Sequence, residues 1–226
     1  MSRIEGAPQS PQENRLRINK VGGFIEHVSL GGQEIWTSIT RGDGKLGSTH
    51  SCIPNFGRRD RPMGLSRHGP WRTMELAEVL SPTLGTSILE GTIHEGMYTD
   101  VFARQIAEIK DDVFSLAIQL VNNSTEPRPA NIGVHGYWTS PQGWEGTIIN
   151  GVAITAEMLD KRINRSGAVI LELRDSNVIR IPGQKPVSPD VPGWNRAIAW
   201  VYQRHDEPGV ANVDENTRCT APGQDA

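Results

Sequence analysis

The sequence has little of what marks several large protein classes. Its 226 residues contain two cysteines, Cys52 and Cys219, too few for a disulfide-rich secreted scaffold. A net charge of −3 gives no electrostatic basis for binding nucleic acid or an anionic membrane. The polar N-terminus has no apolar run, so we expect residues 1–13 to form a flexible tail rather than a signal peptide or membrane helix. We therefore expect a cytoplasmic protein.

Several catalytic and cofactor motifs are also missing. There is no G-x-S-x-G for a serine hydrolase, and no glycine-rich phosphate loop between a strand and a helix. There is no C-x-x-C, although His50 and Cys52 would lie on one face of a strand, and His68 and His135 could join them around a metal ion. This metal site is the less favoured interpretation, and we expect neither a metal nor a cofactor.

Short segments in which polar and apolar residues alternate dominate the chain. The 24 glycines and 15 prolines punctuate them, and Gly31-Gly32 and Asp111-Asp112 are typical of hairpin turns. The one short helical candidate is Thr155–Arg162, with Thr155 as its cap. This pattern predicts an all-β protein, an antiparallel β-sandwich, with residues 14–226 in one domain. The predicted strands lie at 15–21, 23–30, 32–36, 86–94, 101–109, 113–121, 169–174, 177–181 and 196–202.

His68 follows a loop rich in glycine and proline. A structural histidine that binds loop carbonyl groups is the simpler interpretation of this residue alone. Arg72 favours a ligand site, because in an extended chain the two side chains would lie on one face and reach separate oxygens of one molecule.

His135 lies between Gly133 and Gly136 in an apolar and aromatic stretch. A core histidine is one interpretation, and the floor of a pocket is the other, since both glycines leave little bulk beside the ring. The nearby aromatic residues could stack on a sugar, and they fit a place in the core at least equally well. They are Trp71, Tyr137, Trp138 and Trp144.

Two histidine motifs occur in the order found in one enzyme family. Both motifs resemble those of the aldose 1-epimerase (mutarotase) superfamily. The first consists of Ile53-Pro-Asn-Phe-Gly57 with Arg67-His-Gly-Pro-Trp-Arg72. The second consists of Asn131-Ile-Gly-Val-His-Gly-Tyr-Trp138 with Trp144-Glu-Gly-Thr-Ile148. The resemblance extends from about Gly22 to Gly223 and is strongest to the hexose-6-phosphate 1-epimerase-type branch.

The resemblance implies a galactose mutarotase-like supersandwich that interconverts sugar anomers without a cofactor. It makes His135 the acid that protonates the ring oxygen and His68 the group that holds the anomeric oxygen. Its ligand would be a small molecule, a sugar or a sugar phosphate, and Arg58, Arg59 and Arg61 would permit a phosphate. The predicted substrate-binding residues are Arg72, Asp160, Asn55, Trp138 and His50.

The sequence departs from the family at the catalytic base. The last family motif, roughly C-x-E-P-G, contains the glutamate that acts as base, whereas here Cys219-Thr-Ala221-Pro-Gly223 has Ala221 at that position. Lys45 also stands near the place of an early family arginine. Three hypotheses remain open: an epimerase with another base, an isomerase or cyclase of a non-sugar metabolite, and a sugar-binding protein without activity. The candidate replacement bases are His68, Asp160 and the Asp206/Glu207 pair.

Overall fold

The computed structural model describes residues 14–40, 46–55, 66, 68–81, 85–130, 132–160, 168–190, 197–203 and 211–216. Strands dominate this part of the chain. They are β1 (Arg15–Ile18), β2 (Ile25–Leu30), β3 (Gln33–Thr37), β4 (Ile39–Thr40), β5 (Leu46–Gly47), β6 (His50–Cys52), β7 (Ala77–Leu80), β8 (Thr86–Thr92), β9 (Val101–Lys110), β10 (Val113–Asn122), β11 (Gly133–Tyr137), β12 (Ile148–Ile149), β13 (Val152–Ala153), β14 (Ala168–Leu173), β15 (Ile179–Arg180), β16 (Ala197–Gln203) and β17 (Ala211–Asn216).

Every recorded strand pairing is antiparallel. The largest sheet has the order β14-β16-β17-β11-β6, and the next largest has the order β10-β9-β8-β7. Smaller sheets have the orders β1-β2-β3, β13-β12-β15 and β4-β5. The five-stranded sheet positions the candidate site, because two of the histidines lie on β6 and β11.

Left-handed turns close two of the hairpins. Gly31 (φ 54°) and Gly32 (φ 78°) join β2 to β3, and Asp111 (φ 50°) and Asp112 (φ 58°) join β9 to β10. Two successive residues with positive φ match the right-handed twist of the paired strands, and Gly and Asp adopt this conformation at low cost. Both hairpin predictions are therefore confirmed.

Two clusters of buried side chains form the core. The first contains Ile25, Trp36 and Trp144, together with Ile149 and Ile179, and it packs against residues of β10 and β14. The second fills the space beneath β8 and β9. Its members are Ile53, Trp71, Leu76, Leu89, Ile93, Tyr98, Val101 and Ala103. The predicted all-β fold, an antiparallel β-sandwich, is confirmed.

Among the residues that the structure describes, helical structure is limited to single turns. The helix α1 spans Ala156–Leu159, and the hydroxyl group of Thr155 accepts a hydrogen bond from the Met158 N–H at 3.3 Å, as the predicted cap requires. Short 3₁₀ helices span Pro70–Thr73 and Gly96–Tyr98. In the described part of the chain, no helix has the length and apolar character needed to cross a membrane.

The sequence pattern did not reveal three strands of the five-stranded sheet. β6 has three residues that are all buried, and β11 has four buried residues out of five, so neither alternates between polar and apolar side chains. Gly133 and Gly136 further lower the β propensity of β11. β17, with the sequence Ala-Asn-Val-Asp-Glu-Asn, contains one β-branched residue.

A matched pair of isoleucines tests where the core lies. Ile25 on β2 is 0% exposed and Ile170 on β14 is 58% exposed. Because a buried cavity adds to the lost transfer free energy, Ile25→Ala should lower the free energy of unfolding by about 2–5 kcal/mol. Ile170→Ala should cost less than about 1 kcal/mol. Urea unfolding of both variants measures the difference, and similar losses would contradict this core assignment.

Candidate active site

The pairing of β6 with β11 places two imidazoles side by side. His50 lies directly opposite His135 in the antiparallel register, so both side chains leave the same face of the sheet. The rings stack, with centroids 5.0 Å apart and an angle of 18° between their planes. They are 5% and 8% exposed, respectively. The sheet thus forms a buried platform of two stacked histidines.

A loop outside the sheet adds the third imidazole. The ring of His68 lies 5.7 Å from that of His50 and 5.6 Å from that of His135, in edge-on orientations. Its Nδ1 lies 3.5 Å from the Sγ of Cys52, two residues after His50 on β6. The backbone of His68 has φ 60°, a left-handed conformation that costs energy in a residue with a side chain. His50, His68 and His135, with Cys52, are called the histidine cluster below.

Gly69 allows the loop of His68 to approach β6. Its φ is 75°, and a Cβ at this position would lie 1.9 Å from the carbonyl oxygen of Ile53. Only glycine combines this conformation with this close approach. Two hydrogen bonds hold the loop from the other side, since the Gly69 N–H and the Asn55 Nδ2 both donate to the Ser66 carbonyl oxygen, at 3.1 and 3.4 Å. The Ser66 N–H donates in turn to the Glu95 carboxylate.

Hydrogen bonds behind β6 fix the orientation of this strand. Ser51 points to the opposite face from His50 and Cys52, and its hydroxyl donates to Gln105 Oε1 at 2.6 Å. Gln105 donates to the Gly23 carbonyl oxygen at 2.9 Å. The Nδ1 of His50 lies 2.8 Å from the Ser48 carbonyl oxygen. Because a carbonyl can only accept, this Nδ1 carries the proton and the Nε2 has the lone pair.

Aromatic rings surround the cluster. Tyr137 lies 5.1 Å from His135, and Phe24 lies 5.2 Å from His50. Phe24 is half-buried, so part of its ring is accessible. Phe24 and Gln105 were not among the predicted site residues, because both are distant from the histidines along the chain. Gly69 lies directly after His68 in the first histidine motif.

Trp138 lies in the core and not against the histidine cluster. It is 5% exposed, belongs to the first core cluster and packs edge-on against Trp36 at 5.9 Å. This placement favours the core interpretation over stacking on a sugar. Asn55, also 5% exposed, holds the loop at Ser66.

Arg72 does not follow His68 in an extended chain. Its residue belongs to the 3₁₀ helix Pro70–Thr73, and the backbone of His68 is left-handed. The extended conformation that would place both side chains on one face is therefore absent, and the prediction that Arg72 binds substrate stays a prediction. Asp160 is the C-cap of α1, and its N–H donates to the Glu157 carbonyl oxygen at 3.3 Å.

Several predicted residues lie outside the described part of the chain. Ala221, at the place of the family's glutamate, is among them, as are Lys45, the Asp206/Glu207 pair and the arginines of the 58–61 run. The predictions made for them stay predictions.

Comparison with known proteins identifies the fold. No family model matches the sequence, and no curated protein matches it. Solved structures do match. A galactose mutarotase related enzyme from Lactobacillus acidophilus superposes with a TM-score of 0.68 at 14% identity, over 91% of this chain and 83% of the other. The fold is that of the galactose mutarotase-like proteins.

Two further structures agree. A galactose mutarotase-like protein from Lactobacillus casei ATCC 334 has a TM-score of 0.67 at 10% identity, over 91% of this chain and 85% of the other. A candidate aldose 1-epimerase from Escherichia coli K12 has a TM-score of 0.67 at 15% identity, over 94% of this chain and 87% of the other. The mutarotase-like fold expected from the two histidine motifs is confirmed.

Two glycines separate the effect of close approach from that of backbone conformation. Gly69 and Gly143 both have positive φ, 75° and 81°, but a Cβ on Gly143 meets no described atom within 4 Å. Gly143→Ala should cost about 1–2 kcal/mol through conformation alone. Gly69→Ala adds a clash with the Ile53 backbone, so its loss of unfolding free energy should be clearly larger. Denaturant unfolding compares them, and equal losses would mean that the loop contact is not needed.

Proposed function

We propose that this protein is an aldose 1-epimerase-like isomerase that interconverts sugar anomers by histidine-mediated proton transfer, without a cofactor. One observation carries the proposal: His68 and His135, taken from two separate motifs, meet with ring centroids 5.6 Å apart on a mutarotase-like fold. Both rings are almost completely buried.

The chemistry requires one group that gives a proton and one that takes it. In anomer exchange, the ring oxygen of the sugar is protonated while the anomeric hydroxyl loses its proton, and the ring opens to a free aldehyde. The aldehyde rotates and closes on either face. His135 would protonate the ring oxygen, and His68 would hold the anomeric oxygen. Imidazole suits both tasks because its ordinary pKa lies near neutral pH.

The replacement for the family's glutamate is the unusual part of this proposal. Of the candidate bases within the described part of the chain, His68 has a recorded ring contact with His135, and Asp160 ends α1. His68 is therefore the favoured base. The uncatalysed reaction already proceeds in water, so a modest rate gain is enough, and neutral imidazole is a competent base near neutral pH.

Free and phosphorylated hexoses are both candidate substrates. The motifs are most similar to the hexose-6-phosphate branch, and Arg58, Arg59, Arg61 and Arg72 offer cations for a phosphate. Phe24, half-buried beside His50, is better placed than Trp138 to stack on a sugar ring. We propose a 6-phosphorylated hexose as the preferred substrate.

Removing either imidazole tests the acid–base roles. His135→Ala and His68→Ala should each lower anomer exchange by about 10²–10⁴-fold, because a positioned acid or base is lost. Two-dimensional exchange NMR on a panel of free and 6-phosphorylated hexoses measures the rate. The control is His94→Ala, which removes an exposed imidazole and should leave exchange unchanged.

Thermal unfolding of the same variants decides between a site and a core role. We expect nearly unchanged melting temperatures for His135→Ala and His68→Ala. A large drop with either variant, at unchanged exchange per folded molecule, would mean that the imidazole is structural.

Restoring the family's base tests the position of Ala221. If this residue occupies the place of the glutamate, Ala221→Glu should raise anomer exchange, because a carboxylate is a positioned base at neutral pH. The matched control is Ala221→Gln, whose side chain has nearly the shape of glutamate without its charge, and this variant should not raise anomer exchange. Exchange in Ala221→Glu alone would indicate a sugar-binding protein that has lost its base. No exchange in any variant would reject the sugar and favour a different metabolite on the same scaffold.

A further inference from the structure

We propose that His50, Cys52 and His68 bind a transition-metal ion of the Zn²⁺ type. The donor atoms of the three side chains all lie within 4.8 Å of one another, and all three residues are buried. Two imidazole nitrogens and one thiolate sulfur are the donors that Zn²⁺ prefers. Among the described residues, no other set of histidine, cysteine and acidic side chains comes together in this way.

The distances fit a tetrahedral ion. Ligands at the usual zinc bond lengths lie ~3.3–3.6 Å from one another across a tetrahedron. The Sγ of Cys52 and the Nδ1 of His68 are already 3.5 Å apart. The limit of 4.8 Å for the whole set exceeds these separations by about 1.5 Å at most, which a side-chain rotation of the remaining ligand supplies.

The tautomer of His50 is the one that a metal ligand needs. Its Nδ1 donates to the Ser48 carbonyl oxygen at 2.8 Å, so a neutral His50 would coordinate an ion through its Nε2. Histidines that bind zinc almost always donate their other ring N–H to a carbonyl or carboxylate in this manner. The hydrogen bond therefore orients His50 independently of the other two side chains.

The strand next to β6 places no side chain opposite Cys52. The residue opposite Cys52 on β11 is Gly133, so no side chain from that strand covers the thiol. His135, opposite His50, is not part of the three-residue set, although its ring lies 5.0 Å from that of His50. A metal held by His50, Cys52 and His68 would have a fourth position that water, another oxygen ligand or the neighbouring His135 ring could take.

A catalytic cysteine is the other chemistry that Cys52 and His68 suggest. A thiol 3.5 Å from an imidazole resembles an activated nucleophile. Cys52 is 0% exposed, however, and a nucleophile must reach a substrate atom. A third donor, His50, has no part in such a dyad, whereas metal binding uses all three.

Metal binding would change what His68 can do in the proposed isomerase. Coordination through the Nδ1 of His68 would leave its Nε2 as an N–H donor, so a metal-bound His68 could hold the anomeric oxygen but could not be the base, a consequence that rests on the proposed function. The ion itself is bound without a sugar. A measurement of the ion alone therefore succeeds or fails independently of anomer exchange.

Cobalt substitution is the test, because Co²⁺ takes tetrahedral zinc sites and gives visible spectra. The full-length protein, treated with a chelator and titrated with Co²⁺, should bind one ion per chain. The spectrum should show intense tetrahedral d–d bands and a thiolate-to-cobalt charge-transfer band, and Zn²⁺ should displace both. Less than one ion per chain, or a spectrum without a thiolate band, overturns the proposal.

Variants assign the ligands. Cys52→Ser should abolish the charge-transfer band, and the matched Cys219→Ser should keep it, since it removes the other thiol of the chain. His50→Ala should weaken Co²⁺ binding at least ~10-fold, whereas His94→Ala should not change it. Circular dichroism confirms that each variant is folded. If Cys52→Ser does not fold, the other two variants decide. Loss of the charge-transfer band in Cys219→Ser, or unchanged Co²⁺ affinity in His50→Ala, rejects this ligand set.

Discussion

The antiparallel register of β6 and β11 is the constraint on which the site depends. It puts His50 opposite His135 and Gly133 opposite Cys52, so that one face of the sheet has two stacked imidazoles and a thiol with no side chain opposite it. The other face of β6 is held by Ser51 through Gln105. Because side chains alternate along a strand, the Ser51 hydrogen bond on one face of β6 also determines that His50 and Cys52 lie on the other face.

Burying so many polar groups has an energetic cost that the surroundings must offset. Each desolvated imidazole needs partners, and the contacts with Ser48, Cys52 and the neighbouring rings supply them. His68 adds a left-handed backbone, which the packing of Gly69 against Ile53 maintains. Strain of this kind, at a residue that contacts two other titratable rings, is typical of a functional site and less typical of a core.

The sequence predicted the parts of the fold and site that depend on local pattern. Alternation and turn residues located the long hairpin β9–β10, and the flanking glycines singled out His135. The stacking of His50 on His135 depends on strands far apart in the chain, which no local pattern records. The role of Trp138 could not be assigned from the sequence, because a tryptophan ring is equally suited to packing in a core and to stacking on a sugar. The extended conformation considered for the segment from His68 to Arg72 is not found, because the sequence did not show the turn at His68.

The three-residue strand β6 also makes the site unusually sensitive to small changes in chain length. A one-residue slip against β11 would turn His50 and Cys52 to the face of Gln105 and present Ser51 to His135 in their place. A single deletion or insertion just before β6 would thus exchange a nitrogen and sulfur donor set for one hydroxyl without altering any other residue. In this fold, the length of a connecting loop determines the chemistry of the pocket as directly as the identity of the side chains does.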